Sequence, residues 1–354
     1  MKALVIEKEA IRNNIAVVRA RAGSAAIYAV LSGDGQGLGL VELATLCREA
    51  GIGRFAVHQA EEAVALRKAG FVEEEILMLR STTDREELGL LMDNNIVCAM
   101  GSAEAAAALN AIAAERATVV EAQLQIDAGL GFAGFPLEEP DKILLAFQNN
   151  PQVAICGVFS QIYFEEGSSP EALNTVTQIE QLLEQIHAAG FETGVVHLAN
   201  SYALMTFDFM RFDAVRAGSV LLGRCPRTKG DKLIEVGYGE AAITEVRWLP
   251  KGHMAGMYRP VTLKKATRVA VLPVGYENGF GVTKPGEREG GLFSSLLGDR
   301  KDTVRIGQEK AKILGTIGPK ETLLDVTDLT CTAGDVVRFE LDPMFARGVK
   351  RVYR

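Results

Sequence analysis

Over the first two-thirds of the chain, short apolar runs alternate with longer stretches whose apolar residues recur at helical spacing. The runs predict strands at Ala26–Leu31, Arg54–Val57, Ile76–Leu79, Ile96–Ala99, Val119–Ile126, Val153–Phe159, Gly194–Leu198 and Phe212–Val215. Between them the spacing predicts helices over Leu40–Ala50, Ala60–Lys68, Asp84–Asp93, Ala103–Ala114, Leu137–Gln148, Pro170–Ala189 and Ser201–Phe209. Three of these run into a glycine, Gly51, Gly70 or Gly190, the usual left-handed helix exit. Short apolar strands without strict alternation suit a parallel sheet covered by helices. Repeated strand–helix units at this spacing match a (β/α)8 barrel. A doubly wound open sheet is the competing arrangement on pattern alone.

From about Lys232 the helical period vanishes. Ala241–Leu249, Arg268–Pro273, Thr303–Ile306, Lys312–Ile317 and Asp335–Leu341 read as strands separated by turn residues. The expectation is an α/β chain: a barrel over residues 1–235, then a smaller all-β domain over 236–354. The polar, glycine-rich stretch Gly279–Lys301 reads as a lid or a surface loop.

Composition narrows the function. Lys+Arg 38 against Asp+Glu 45 gives a net charge of −7, which argues against nucleic acid or an anionic membrane as partner. No apolar run is long enough to span a bilayer, and MKALVIEKEA is too broken by charge for a signal peptide. The five cysteines (Cys47, Cys98, Cys156, Cys225, Cys331) include no CxxC, and suit thiols of a reducing cytoplasm. His58, His187, His197 and His253 form no close pair, so no zinc site is expected.

In a barrel, chemistry sits on the loops that follow the strands. LSGDGQGLG (Leu31–Gly39) follows the first strand. It is neither a dinucleotide fingerprint nor a P-loop, and a tight turn before a helix explains it equally. HLANS (His197–Ser201) follows the seventh strand, where Asn200 or Ser201 also suits a helix N-cap. VRAGSVLLG (Val215–Gly223) follows the eighth. Barrels commonly seat a phosphate on those last two loops, and Ser201, Gly218 and Ser219 have the chemistry for it. Arg216 supplies a fixed charge there, or else an inter-strand salt bridge.

In this order, the segments resemble the alanine racemase family, barrel-plus-β-domain pyridoxal-phosphate enzymes of fold type III. IYAVLSGDGQGLG resembles the family's first-strand motif, IDAGLGFAGF (Ile126–Phe135) its fifth and GVFSQIY (Gly157–Tyr163) its sixth. HLANSYAL and VRAGSVLLG resemble the segments at the cofactor's phosphate and pyridine nitrogen. AVLPVGYENGFG (Ala270–Gly281) and LDVTDLTCTAGDVVRF (Leu324–Phe339) resemble β-domain segments. The resemblance spans essentially the whole chain. It implies the barrel, a pocket at its mouth, and a head-to-tail homodimer whose sites are completed by the partner's β domain.

The same resemblance implies which residues are missing. The family's lysine, which holds the cofactor as a Schiff base, falls on Ser32, and a hydroxyl forms no imine. Lys2, Lys8, Lys68, Lys142, Lys229 and Lys232 all lie away from the predicted strand ends. The family's catalytic tyrosine falls on Met257, with Tyr258 one residue off; a strand neighbour faces the opposite side. Gln36, Phe132 and Gln161 replace a tyrosine, an arginine and a histidine, and Pro319-Lys320 replaces a methionine–aspartate pair. Asp34, Asn200, Ser201, Arg216, Gly218 and Tyr276 match the family. Racemisation needs two acid–base groups, each contributing on the order of 10²–10⁴ in rate. The expectation is therefore a non-racemising paralogue whose pocket takes a small ligand or anion, with pyridoxal phosphate held non-covalently if at all. The alternatives are a pyridoxal-phosphate racemase with non-standard residues and a partner that modulates a true racemase.

Overall fold

The computed structural model describes residues 2–162, 169–225, 230–282 and 303–354. Tyr163, Lys229 and most of Gly279–Lys301 lie outside the described residues. By internal packing the chain divides into Glu9–Glu235 and a second unit made of Met1–Lys8 with Val236–Arg354.

In the first unit the barrel strands are Ala26–Val30, Arg54–Val57, Glu75–Met78, Cys98–Met100, Val120–Asp127, Val153–Ser160, Val195–His197 and Ala214–Ala217. Neighbours pair in parallel, and the eighth strand pairs with the first. The remaining two joints are made by a few backbone bonds each, Val97 N–H to the Ile76 carbonyl and Arg216 N–H to that of Ala199 among them. Met78 N–H donates to the Val97 carbonyl at 2.9 Å, and Asp213 N–H donates to that of Val196 at 3.0 Å. The ring is thus closed, which eliminates the open sheet: closure leaves no edge to protect. Tyr28, Ala56, Leu77, Ala99, Phe159 and Ala214 pack its interior.

The helices form where the apolar period places them. Ser169–Ala188 buries Ala172, Val176, Ile179, Leu182, Leu183 and Ile186, the stripe expected of a helix lying on a sheet. Burying each leucine or isoleucine there stabilises by about 1.5–3 kcal/mol. Ser102 Oγ caps Ala103–Glu115 by accepting from Ala105 N–H at 3.1 Å, and Asp84 caps Arg85–Asp93 in the same way.

One helix escaped the sequence reading. Lys8–Ala22 turns Ala10, Ile11, Asn14, Ile15, Val18 and Ala22 inward. Asn14 interrupts the apolar stripe for a reason that lies far along the chain. Its amide donates to the Leu221 and Ile234 carbonyls at 3.0 and 2.7 Å and accepts from Ile234 N–H at 2.8 Å.

Among the described residues the second unit is built on a nine-stranded sheet, with Met254–Ala255 and Val261–Thr262 as a separate pair. Lys2–Ile6, counted with the barrel in the expectation, pairs instead with Tyr238–Ala242 and Lys350–Tyr353. The run expected as one strand over Ala241–Leu249 is two. Tyr238–Ala242 pairs with Val336–Phe339, whereas Glu245–Leu249 pairs with Thr267–Leu272. At the junction Ile243 N–H bonds the Asp335 carbonyl and Thr244 N–H that of Val271, so the chain changes partner between adjacent residues. Among the described residues no helix is long and apolar enough to cross a membrane.

Candidate functional site

At the end of the first barrel strand the backbone turns left-handed. Gly33, Asp34, Gly35, Gln36 and Gly37 have φ of 72°, 54°, 63°, 55° and 81°. Gly35 N–H to the Leu31 carbonyl and Gly37 N–H to that of Gly33, both 2.8 Å, hold this turn. The hand costs about 1–2 kcal/mol at each of the non-glycines Asp34 and Gln36. Their side chains offset it. Asp34 accepts from Leu40 N–H at 3.0 Å, and its own N–H donates to Glu62 Oε1 at 3.0 Å. The buried Gln36 amide donates to the Val30 and Ser32 carbonyls at 3.4 and 3.3 Å.

Ser32 opens this turn, and its hydroxyl meets His58 Nδ1 at 2.8 Å. His58 follows the second strand and was not among the candidates. The rule that placed chemistry after strand ends applied equally to FAVHQ. Protein packed beneath the ring lowers the His58 pKa, Arg80 and Arg216 lower it further, and Glu62 opposes them. His58 is therefore a neutral imidazole at pH 7. Glu62 Oε2 is buried without a hydrogen-bond partner.

A chain of polar groups lies inside the barrel. Arg216, from the eighth strand, is buried and donates to the His197 and Ser160 carbonyls at 2.8 and 2.6 Å and to Gln161 Oε1 at 3.2 Å. It also meets His197 Nδ1 at 2.9 Å, and His197 Nε2 meets Gln123 Oε1 at 2.6 Å. Because the guanidinium only donates, Nδ1 accepts and Nε2 carries the proton. Gln123 passes the chain on to the Tyr28 hydroxyl at 2.9 Å, and Tyr28 donates to Glu75, which is paired with Arg54 at 3.0 Å. Every group is satisfied in one direction, from a cation to a carboxylate. Burial pushes Arg216 down to about 10, and burial together with Arg216 and Arg54 pushes His197 well below the imidazole range. The ring of His197 stacks between Tyr28 and Phe159, with centroids at 4.7 and 5.4 Å.

The loops after the seventh and eighth strands meet at Ser201. Asn200 Oδ1 accepts from Ala203 N–H at 2.9 Å, the cap that the sequence allowed. Ser201 Oγ accepts from Gly218 N–H at 2.9 Å and Val220 N–H at 3.3 Å, which leaves the hydroxyl its own proton to donate. Ser219 stands beside it, half-buried. A side chain on Gly218 would approach Gln36 Nε2 to 3.6 Å. This corner therefore adjoins the Ser32 turn.

Phe132 is 90 % exposed, on a loop wound around Asp127, whose carboxylate accepts from the N–H groups of Gly129, Leu130 and Gly131. In the second unit, Tyr258 lies in a bend rather than a strand. Its φ of 60° takes it out of extended geometry, and its proximity raises the Tyr276 pKa. Met257 is half exposed, its carbonyl accepting from Thr316 Oγ1 at 2.6 Å. Tyr276 and Glu277 dock their N–H groups on the carbonyls of Gly318 and Pro319, and Lys320 lies 3.9 Å from Glu277.

A closed parallel barrel with its polar groups gathered after the strands, continued by a β-sheet unit, defines the class of two-domain (β/α)8-plus-β proteins. Residues 6–226 match the family model of the alanine racemase N-terminal domain, and residues 237–342 that of the C-terminal domain. The alanine racemase of Frankia casuarinae is 28% identical over 94% of this chain and 85% of its own length. That of Citrifermentans bemidjiense is 27% identical, over 96% and 88%. Among solved structures, alanine racemase of Clostridium difficile 630 superposes with a TM-score of 0.86 at 22% identity, covering 100% of this chain and 95% of that one. The Bartonella henselae alanine racemase with covalently bound pyridoxal phosphate gives 0.84 at 20%, covering 100% and 99%. The chain belongs to the alanine racemase family.

Pyridoxal phosphate, which that family implies, fits these residues poorly as a covalent group. Ser32 offers a hydroxyl that is already engaged by His58. Among the described residues no lysine stands at the C-terminal end of a barrel strand: Lys68 and Lys142 lie on helices, and Lys232 lies beyond the eighth strand.

Proposed function

We propose that this chain is a non-racemising member of the alanine racemase family whose barrel mouth binds a small anionic ligand. The observation that carries the reading is the Ser32 hydroxyl bound to His58 at 2.8 Å, at the position to which the resemblance assigns the cofactor lysine. Arg216 has its guanidinium committed to protein acceptors. The anion's place is the corner of Ser201, Gly218 and Ser219, flanked by Asn200, with Asp34, Gln36, Phe132 and Gln161 on the surrounding loops. The protein acts as a homodimer. In support, the second unit exposes Trp248, Met254, Met257, Tyr258 and Val261, an apolar group of the kind that protein partners cover. None of the five cysteines is in a disulfide, which suits a reducing compartment.

The test is borohydride reduction of the full chain with pyridoxal phosphate, followed by intact mass, beside α-proton exchange of L- and D-alanine in heavy water. Neither an adduct nor exchange is expected. A stoichiometric adduct on a barrel lysine, or exchange at the pace of an amino-acid racemase, would overturn the reading. Titration with inorganic phosphate examines the pocket, and binding that persists unchanged in Ser201→Val would place the anion elsewhere. One observation favours a second reading, a racemase with non-standard residues: Tyr258, next to Met257 in the chain, is 69% exposed and so offers an accessible phenol. The same exchange assay on Tyr258→Phe decides it.

A further inference from the structure

We propose that Ser32 and His58 form a nucleophile–base pair that cleaves a carboxylic ester or thioester by acyl transfer through Ser32 Oγ. The inference rests on the reading that the first-strand loop holds no covalent cofactor. The geometry is that of an activated hydroxyl, with Oγ and Nδ1 2.8 Å apart at the mouth of the barrel. For His58 to accept the serine proton, Nδ1 must be the unprotonated nitrogen, so the neutral ring carries its proton on Nε2. The charged groups facing it are Glu62 on the following helix, Arg80 after the third strand and Arg216 on the eighth. Burial of the ring, helped by Arg80 and Arg216 and opposed by Glu62, keeps the imidazole neutral, which is the form a base requires.

Three features surround the pair. No hydrogen bond engages the Gly33 N–H among the described residues. An amide directly after a nucleophile is the donor that acyl-transfer sites use for the oxyanion. The left-handed turn confines Ser32 between the first strand and Gly33 rather than leaving it on a free loop. Glu62 secures that turn through Asp34 N–H, and its second oxygen remains buried without a donor.

In the first step Ser32 Oγ bonds the acyl carbon while its proton passes to His58 Nδ1. The carbon–oxygen or carbon–sulfur bond to the leaving group then breaks, and that group departs with the proton from Nδ1. In the second step water attacks the acyl-serine, His58 takes the water proton and returns it to Ser32 Oγ, and a carboxylic acid leaves. No carboxylate is hydrogen-bonded to the far side of His58 among the described residues. The imidazolium is therefore weakly supported, which favours thiolate and aryloxide leaving groups over amines. The Ser201–Gly218 corner, reached across Gln36, suits an acyl group or leaving group carrying an anionic tail.

The test treats the full-length protein with a fluorophosphonate and, separately, with p-nitrophenyl acetate. One mass adduct is expected per chain, mapped to Ser32, with loss of fluoride from the reagent. His58→Gln should slow labelling by roughly 10²–10⁴-fold. The wild-type labelling rate should rise with pH and reach half its plateau below about pH 6.5. Ser32→Ala, half-buried and losing one hydrogen bond, should melt within about 5 °C of wild type and take no label. Ser32→Cys should be acylated by an aryl thioester and retain the adduct. No adduct, an adduct on another residue, or an unchanged rate in His58→Gln would overturn the assignment. Failure of the reading beneath it is distinguishable: that failure shows as a borohydride-fixed pyridoxal adduct, whereas a chain giving neither adduct refutes acyl transfer alone.

Discussion

Replacing Gln123 with leucine tests the polar chain inside the barrel. Gln123 is 1% exposed and joins His197 Nε2, at 2.6 Å, to the Tyr28 hydroxyl, at 2.9 Å. Leucine fills nearly the same volume, so the cavity cost is small. What changes is hydrogen bonding. His197 Nε2–H becomes a buried donor without an acceptor, which costs about 1–3 kcal/mol, and Tyr28 loses one accepted bond, about 0.5–1.5 kcal/mol. The sum is roughly 2–4 kcal/mol, or about 6–12 °C in melting temperature near the middle of that range for a domain of this size. Tyr28→Phe should cost less, about 1 kcal/mol. It leaves Glu75 paired with Arg54 at 3.0 Å, and Gln123 Nε2 still has Glu75 Oε1 at 3.4 Å. Scanning calorimetry of both variants at pH 7.5 decides the matter. A melting temperature of Gln123→Leu within ~1 °C of wild type, or a larger loss in Tyr28→Phe, would refute the directional chain and the His197 tautomer inferred from it.

Stability should fall with acid before any carboxylate titrates. The His197 pKa is depressed in the fold, so below about pH 6.5 the unfolded chain binds a proton that the folded one refuses, costing about 1.4 kcal/mol per pH unit. A melting temperature flat from pH 7.5 to about 5 would contradict that burial. Ser32→Lys should gain a borohydride-fixable adduct with pyridoxal phosphate, because an amine then stands at the strand end. Ser32→Lys with Met257→Tyr should still exchange the alanine α-proton only slowly, because Gln36, Phe132 and Gln161 are unchanged and residues acting as a unit do not add; rapid exchange in that variant would show an otherwise intact racemase pocket. Light scattering at micromolar concentration should give twice the chain mass, and Met257→Glu, which puts a charge among exposed apolar side chains, should shift it toward the monomer. A monomeric wild type would refute the shared interface.

Much of the architecture was legible because it is local. The apolar period marks which face of each helix is buried, and Ser169–Ala188 needs no knowledge of its partner to show its stripe. The change of texture after Lys232 is equally a property of neighbouring residues, and so is the hydroxyl at position 32. Pairing is not local. Lys2–Ile6 reads as a short apolar run, and only the sheet shows that it lies between Tyr238–Ala242 and Lys350–Tyr353. Asn14 looks like a flaw in a helix until Ile234, 220 positions away, uses both ends of its amide. Ser32 and His58 are 26 positions apart and Gln123 and Tyr28 are 95 apart, so no spacing in the sequence announces either contact. Tyr258 shows a related limit: alternation holds within a strand, and a φ of 60° takes that residue out of one. The sequence by itself determined the α/β and the all-β stretches, their order and the hydroxyl at position 32, since periodicity and residue chemistry are carried by each segment alone. Ring closure, the tautomer of His197 and the partner of Ser32 were decided only by the tertiary structure, because each depends on which distant backbone and side-chain groups the closed barrel brings within hydrogen-bonding distance.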